Sequence, residues 1–186
     1  MAVVGVKNVP TAYQNEIPKS LAKAYFTFLT QTEYQGDKVN NPGNCEDATV
    51  GTNMDGKGPF GLVISVDGRA PKARFSGFKG RLYNSLGELI YDDVQNFFVG
   101  SDNYGTRPLG ADLFWADGMR PLSEIIWTGL KANGDYYENN NCQNWTSTNT
   151  DFGATGFRAD LSDTSSWLYG FDFYCSSWYH VLCISQ

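Results

Sequence analysis

The four cysteines constrain this chain more than any other feature, because cysteine pairs limit which parts of a fold can lie together. Cys45 is separated by a long interval from Cys142, whereas Cys175 and Cys183 lie near the C-terminal end. An even number of cysteines is typical of a disulfide framework, and four cysteines allow three pairings. One of these, Cys45–Cys183 around Cys142–Cys175, would tie the beginning of the domain to its end.

Two other uses of the cysteines stay open at this level. Four buried free thiols would suit a reducing compartment, since cysteine is often fully buried. A zinc site is the other alternative. The chain has no Cys-x-x-Cys motif and only one histidine, His180, so it offers few ligands for a tetrahedral zinc site. Disulfides are the favoured interpretation, and they predict an extracellular or cell-surface location.

The composition indicates one domain with a substantial core and an acidic surface. The 186 residues are 41% hydrophobic and 15% aromatic, whereas charged residues make up only 18%. A formal net charge of −6 opposes binding to nucleic acid through a general electrostatic field. We expect one group of basic residues to be a solvated surface: Arg69, Lys72, Arg74, Lys79 and Arg81.

The N-terminal part of the sequence differs from the rest. Residues 1–24 contain Pro10 and Pro18 and are interpreted as a linker or stalk remnant that leads into a domain at 25–186. An N-terminal strand or helix packed on the domain is the alternative. The chain has no apolar run of the ~20 residues that a membrane-spanning helix needs, so we expect no direct membrane insertion. It also begins without a signal-peptide pattern. If the disulfides form, we expect the export signal to be encoded upstream of Met1.

Short strands and turns dominate the local patterns. A turn signal at Asp67-Gly68 follows an apolar run, and Asn44 is placed to cap a short helix around Cys45. Residues 131–166 have weak regular signals and are predicted to be mostly ordered loop. The predicted strands are 24–30, 61–66, 73–78, 88–91, 97–99, 124–130 and 178–184.

Several motifs in the C-terminal half resemble a known family. Trp127-Thr-Gly-Leu130, followed by Cys142, Cys175 and Cys183 inside a terminal strand, is similar to the pattern of the C-type-lectin-like fold. The compact, endostatin-like subgroup, which includes collagen C-terminal domains and related bacterial surface domains, is the most similar. Further matching segments are Glu88-Leu-Ile-Tyr91, Phe97-Phe-Val-Gly-Ser101, Gly110-Ala-Asp-Leu-Phe-Trp-Ala-Asp-Gly118, Cys142-Gln-Asn-Trp-Thr146, Ala154-Thr-Gly156 and Tyr179-His-Val-Leu-Cys-Ile184.

The resemblance has consequences for fold and for metal chemistry. It implies an α+β domain with mixed, mostly antiparallel twisted sheets, one or two helices, long ordered loops and the nested pairing Cys45–Cys183 and Cys142–Cys175. Of the motif with which lectins of this fold hold calcium, only Asp172 matches, so neither a calcium-dependent sugar site nor any other metal or cofactor is expected. The family's zinc-binding histidines are also missing, and His180 is expected to be a strand residue.

No pattern points to catalysis. A nucleophile with a base is missing, although Glu124 with Glu138, or Asp112 with Asp117, could form an acid pair as in glycosidases. Binding is better supported, because tyrosines beside amides and carboxylates are typical of recognition loops. The predicted ligand-binding residues are Asp135, Tyr136, Tyr137, Glu138, Asn140, Tyr169 and Asp172.

Other aromatic and polar segments have alternative interpretations. Residues 101–107 form a second candidate loop, while Trp127, Trp145 and Trp178 are expected in the core. Asn144-Trp-Thr146 matches an N-glycosylation acceptor, which matters only in a eukaryotic secretory host.

The sequence thus predicts a non-catalytic recognition head at the tip of a surface or fibre protein. We expect it to bind a glycan or protein ligand on another cell or matrix, and by analogy to form a homotrimer. The alternatives are a structural domain that only caps or nucleates a trimer, and a carbohydrate-active hydrolase.

Overall fold

The computed structural model describes residues 23–99, 111–121, 125–149, 151–157 and 168–186. Within these ranges the strands form one mixed sheet in the order β4-β3-β1-β8-β5-β6-β7, with β2 beside β8. The strands are β1 (Lys23–Leu29), β2 (Phe60–Leu62), β3 (Gly80–Tyr83), β4 (Leu89–Tyr91), β5 (Ile125–Trp127), β6 (Phe152–Phe157), β7 (Phe171–Tyr174) and β8 (His180–Ser185). The helices are α1 (Gly43–Asp47) and α2 (Pro71–Arg74), with two 3-10 segments (Gly36–Lys38 and Val94–Phe98) and a helical turn at Cys142–Trp145. The α+β class is confirmed.

Strand β8 is the centre of the sheet. It pairs antiparallel with β1 and β2 and parallel with β5. Leu182 and Ile184 pack into one apolar cluster, whereas Val181 and Cys183 pack into another, so all six residues of β8 are buried. Since alternate side chains of a strand point to opposite faces, a core on both faces requires a continuous apolar run. The predicted terminal strand is therefore confirmed, although it begins two residues later and ends one residue later than predicted.

The two disulfides have the nested pairing. Cys45 on α1 is bonded to Cys183 on β8, with a Cα–Cα distance of 5.7 Å. Cys142 is bonded to Cys175, which follows β7, with a Cα–Cα distance of 5.6 Å. Both bonds lie in the same apolar cluster, and no free cysteine remains. Two disulfides indicate an oxidising, extracellular-type environment.

Two predicted strands are helical instead. Residues 73–78 overlap α2, where Pro71 occupies the first turn and the guanidinium of Arg74 donates to the carbonyls of Leu62 and Ile64. Residues 97–99 overlap the 3-10 segment, which begins where the side chain of Asp93 accepts a hydrogen bond from the Gln95 amide. In both cases local capping and tertiary contacts outweigh strand propensity.

Other local predictions are also corrected. Asn44 does not cap α1; it is buried inside the helix and donates to the carbonyl oxygens of Lys38 and Val39. Strands β3 and β7 were not predicted, and β6 replaces part of the expected loop at 131–166. Strand β1 begins at Lys23, inside the predicted linker, and residues 1–22 lie outside the described ranges.

Two of the three tryptophans expected in the core are there. Trp127 and Trp145 are buried with their rings in edge-to-face contact, and each indole N–H donates to a backbone carbonyl, of Tyr34 and Ser65 respectively. Trp178 is 55% exposed, so its assignment to the core is wrong. It follows the turn after Cys175 and precedes Tyr179, which packs inward on Trp127.

Candidate functional site

Three of the predicted ligand-binding residues meet at the β7 end of the sheet. The rings of Tyr137 and Tyr169 are in edge-to-face contact, with centroids 5.9 Å apart. The hydroxyl of Tyr169 donates a long, 3.5 Å hydrogen bond to Oδ2 of Asp172. All three side chains are half-buried. We call Tyr137, Tyr169 and Asp172 the tyrosine patch.

Backbone contacts fix the loop that carries Tyr137. Leu130 and Tyr136 form an isolated bridge, and the Tyr137 amide donates to the carbonyl of Gly129 at 3.1 Å. Gly129 has a φ of +64°, and a Cβ there would lie 2.9 Å from the Trp145 ring. A glycine is therefore required where this loop leaves the core. The loop positions Tyr137 without help from a regular element.

The electrostatics of the tyrosine patch favour a neutral phenol beside a carboxylate. Burial raises the pKa of Tyr169, and the nearby Asp172 and Tyr137 raise it further. Tyr169 therefore remains a hydrogen-bond donor at neutral pH. Oδ1 of Asp172 is buried and has no hydrogen-bond partner among the described residues. A buried carboxylate oxygen without a donor costs free energy, so the environment of Asp172 carries an uncompensated cost.

The other predicted ligand-binding residues do not join the patch. Asp135 forms an ion pair with Lys72 of α2, and the hydrogen bond from Lys72 holds the pKa of that carboxyl below its usual range. Tyr136 packs against the core, and its hydroxyl accepts from Nδ2 of Asn141 at 2.8 Å. Glu138 is exposed and Asn140 half-buried, and no described side-chain contact links either to the patch.

A strained turn and a disulfide support the region beside the patch. The four residues Cys142–Trp145 all have positive φ angles, of 53°, 53°, 58° and 62°. Left-handed backbone costs roughly 1–2 kcal/mol per non-glycine residue, so tertiary contacts must hold it. The contacts include the Cys142–Cys175 bond and a reciprocal pair of hydrogen bonds between Asn144 and Asp67. The predicted glycosylation acceptor thus has its amide group engaged.

The sequence analysis missed a second pair of aromatic rings. Phe152 of β6 and Tyr174 of β7 stand opposite each other, and their rings stack with centroids 4.9 Å apart and an interplanar angle of 29°. Phe152 is 43% exposed and Tyr174 52% exposed. We call Phe152 and Tyr174 the edge pair. Only the strand register brings them together, and β6 was predicted to be loop.

The single histidine, His180, is buried. It lies at the start of β8, with Nε2 3.6 Å from Oε1 of Glu33 and its ring 6.3 Å from that of Trp115. Burial lowers the pKa of His180, against the opposing effects of Glu33 and the backbone at Thr30 and Thr32. The expectation of a strand histidine is confirmed. Its buried, neutral ring offers no acid or base at the molecular surface.

Two further properties concern the described residues as a whole. No group of three or more His, Cys, Asp or Glu side chains among them is placed to hold a metal ion. No helix in these parts of the chain has the length and apolar character to cross a membrane. The second candidate loop, at 101–107, and Glu124 lie outside the described residues.

Comparison with known proteins identifies no family for this chain. None of the protein-family models matches the sequence, and no curated protein matches it significantly. The C-type-lectin-like and endostatin-like assignment therefore stays a prediction.

Proposed function

We propose that this protein is a non-catalytic extracellular recognition head that binds a glycan at the tyrosine patch, without calcium. The observation that carries the proposal is a pair of tyrosine rings in contact, one of which donates a hydrogen bond to a carboxylate, at the end of a disulfide-bonded sheet. The nested disulfides and the mixed sheet support the finer proposal of a C-type-lectin-like fold. A homotrimer at the tip of a surface fibre stays our proposed assembly, by analogy alone.

The chemistry of the tyrosine patch suits a sugar. The faces of Tyr137 and Tyr169 offer flat apolar surface for the C–H face of a pyranose ring, and their hydroxyls can both donate and accept hydrogen bonds. Asp172 accepts hydrogen bonds from sugar hydroxyls. The formal net charge of −6 disfavours sulfated or sialylated glycans. An uncharged glycan is the best match.

A glycan array with site variants tests the proposal. Tyr137→Ala and Tyr169→Ala should each weaken binding by roughly tenfold or more, which corresponds to about 1.4 kcal/mol of lost stacking. Tyr83→Ala is the matched control, because Tyr83 is a half-buried tyrosine on β3, at the far side of the sheet. Excess chelator should leave wild-type binding unchanged.

Three results would contradict the proposal. They are the absence of any bound glycan, an equal loss of binding in the Tyr83→Ala control, and loss of binding on chelation. Circular dichroism of each variant separates loss of a contact from loss of the fold.

A further inference from the structure

The edge pair lies in line with the tyrosine patch. Alternate residues of a strand point to the same face, so Tyr174 shares a face of β7 with Asp172. Phe152 stands opposite Tyr174, and Ala154 stands opposite Asp172. Ala154 is fully buried. Asp172, a member of the tyrosine patch, and the edge pair therefore lie on the same face of the sheet.

The spacing along β7 suggests separate places for neighbouring sugars. Two residues of a strand span roughly 6.6 Å, so the backbone positions of Asp172 and Tyr174 differ by about that distance. The rings of the edge pair are nearly parallel, at 29°, whereas those of the tyrosine patch meet at 63°. The two sets of rings thus present two separate apolar surfaces, with a carboxylate between them.

Packing of the core does not explain why both residues of the edge pair are aromatic and exposed. About half of the surface of each residue is exposed, so the pair gains less from burial than a core aromatic does. Exposed aromatic rings grouped on one face are typical of interaction surfaces. Phe173, by contrast, points to the other face of β7 and packs against Tyr179 of the core.

We infer that the edge pair is a second sugar subsite and that the ligand is an uncharged oligosaccharide spanning both sets of rings. This inference rests on the proposed glycan-binding function. One sugar ring stacks on the tyrosine patch and another on Phe152 and Tyr174. The sugar between them donates a hydroxyl hydrogen bond to the half-buried carboxylate of Asp172. A uronic acid at that position would be repelled by the carboxylate.

Oligosaccharide length is the variable that tests the inference. Calorimetry would use gluco-, manno-, galacto- and N-acetylglucosamine oligomers of one, two and four residues. For at least one series, the wild-type protein should bind the tetramer tenfold or more tightly than the monomer. Tyr174→Ala should abolish that gain without changing monomer affinity, whereas Tyr137→Ala should weaken binding at every length.

The strand supplies a matched control on its opposite face. Phe171 is 59% exposed and lies on the same strand as Tyr174, but it shares a face with Phe173. Phe171→Ala should therefore leave the length dependence unchanged. Asp172→Asn should weaken tetramer binding several-fold and should improve binding of the corresponding uronic-acid oligomers, because it removes the negative charge and keeps the shape.

The possible failures are distinguishable. Equal affinity for monomer and tetramer, or no effect of Tyr174→Ala, overturns the second subsite and leaves the proposed function standing. Failure of every series to bind the wild-type protein overturns both. If light scattering shows that Tyr174→Ala lowers the assembly mass, the edge pair is an interface between copies of the chain, and the subsite is refuted.

Discussion

The nested disulfides lead to a quantitative prediction about the unfolded state. The Cys45–Cys183 bond closes a separation of 138 residues, and the Cys142–Cys175 bond closes one of 33. The chain-entropy relation then gives about 5 kcal/mol of stabilisation for the outer bond and about 4 kcal/mol for the inner one. All four cysteines are fully buried. Replacing either pair by alanine therefore leaves similar small cavities, whose costs largely cancel between the two variants.

Guanidinium denaturation of the two double-alanine variants measures this difference. Fluorescence of the buried Trp127 and Trp145 reports the transition. The variant without the outer bond should be less stable by about 1 kcal/mol than the variant without the inner bond. It should also have the larger denaturant slope, since its unfolded chain exposes more surface. If removal of the inner bond costs as much or more, the loop-entropy reasoning is wrong. Support of the strained Cys142–Trp145 turn would then be the larger effect.

Two other predictions concern one buried group and one strained residue. The pKa of His180 is lowered in the folded state, so its contribution to stability is fully present above the unfolded pKa of about 6.5 and is lost as pH falls toward the folded value. An NMR titration of this single histidine should give a pKa below 6.5, and a pKa above 6.5 would contradict the argument. The His180→Gln variant should lack that part of the pH dependence of the unfolding free energy. Gln143 is exposed and has a φ of 53°. Gln143→Gly should therefore stabilise the protein by roughly 0.5–1 kcal/mol, and Gln143→Val should destabilise it. A higher thermal denaturation midpoint for the Val variant than for the Gly variant would show that this backbone is unstrained.

The strands with continuous or alternating apolar runs were the predictable ones. β1, β2, β4, β5 and β8 were all predicted, because burial of their side chains on one or both faces leaves a pattern in the sequence. Strands β6 and β7 are rich in glycine or in exposed aromatics, and their pairing depends on each other, so no local pattern marked them. For α2, Pro71 was a local signal that strand propensity obscured.

The candidate site was likewise only partly predictable from the sequence. Tyrosines beside carboxylates marked the 133–141 segment as a recognition loop, and Tyr137, Tyr169 and Asp172 do meet. Sequence alone could not separate Tyr137 from its neighbour Tyr136, whose hydroxyl is bound by Asn141. Which of two adjacent tyrosines faces the patch depends on the backbone bridge between Leu130 and Tyr136, whose register the sequence pattern does not reveal.

Three properties could be read from the amino-acid sequence: the class of domain, an acidic character that opposes binding to polyanions, and a cysteine framework suited to an oxidising environment. These properties follow from composition and from short-range patterns, which do not depend on how distant segments pair. Three other properties required the folded structure: Phe152 stacks on Tyr174, Cys142–Trp145 is left-handed, and one oxygen of Asp172 has no donor among the described residues. Each of these depends on strand register or on contacts between segments far apart in the chain, and their free energies are realised only when the whole sheet is assembled.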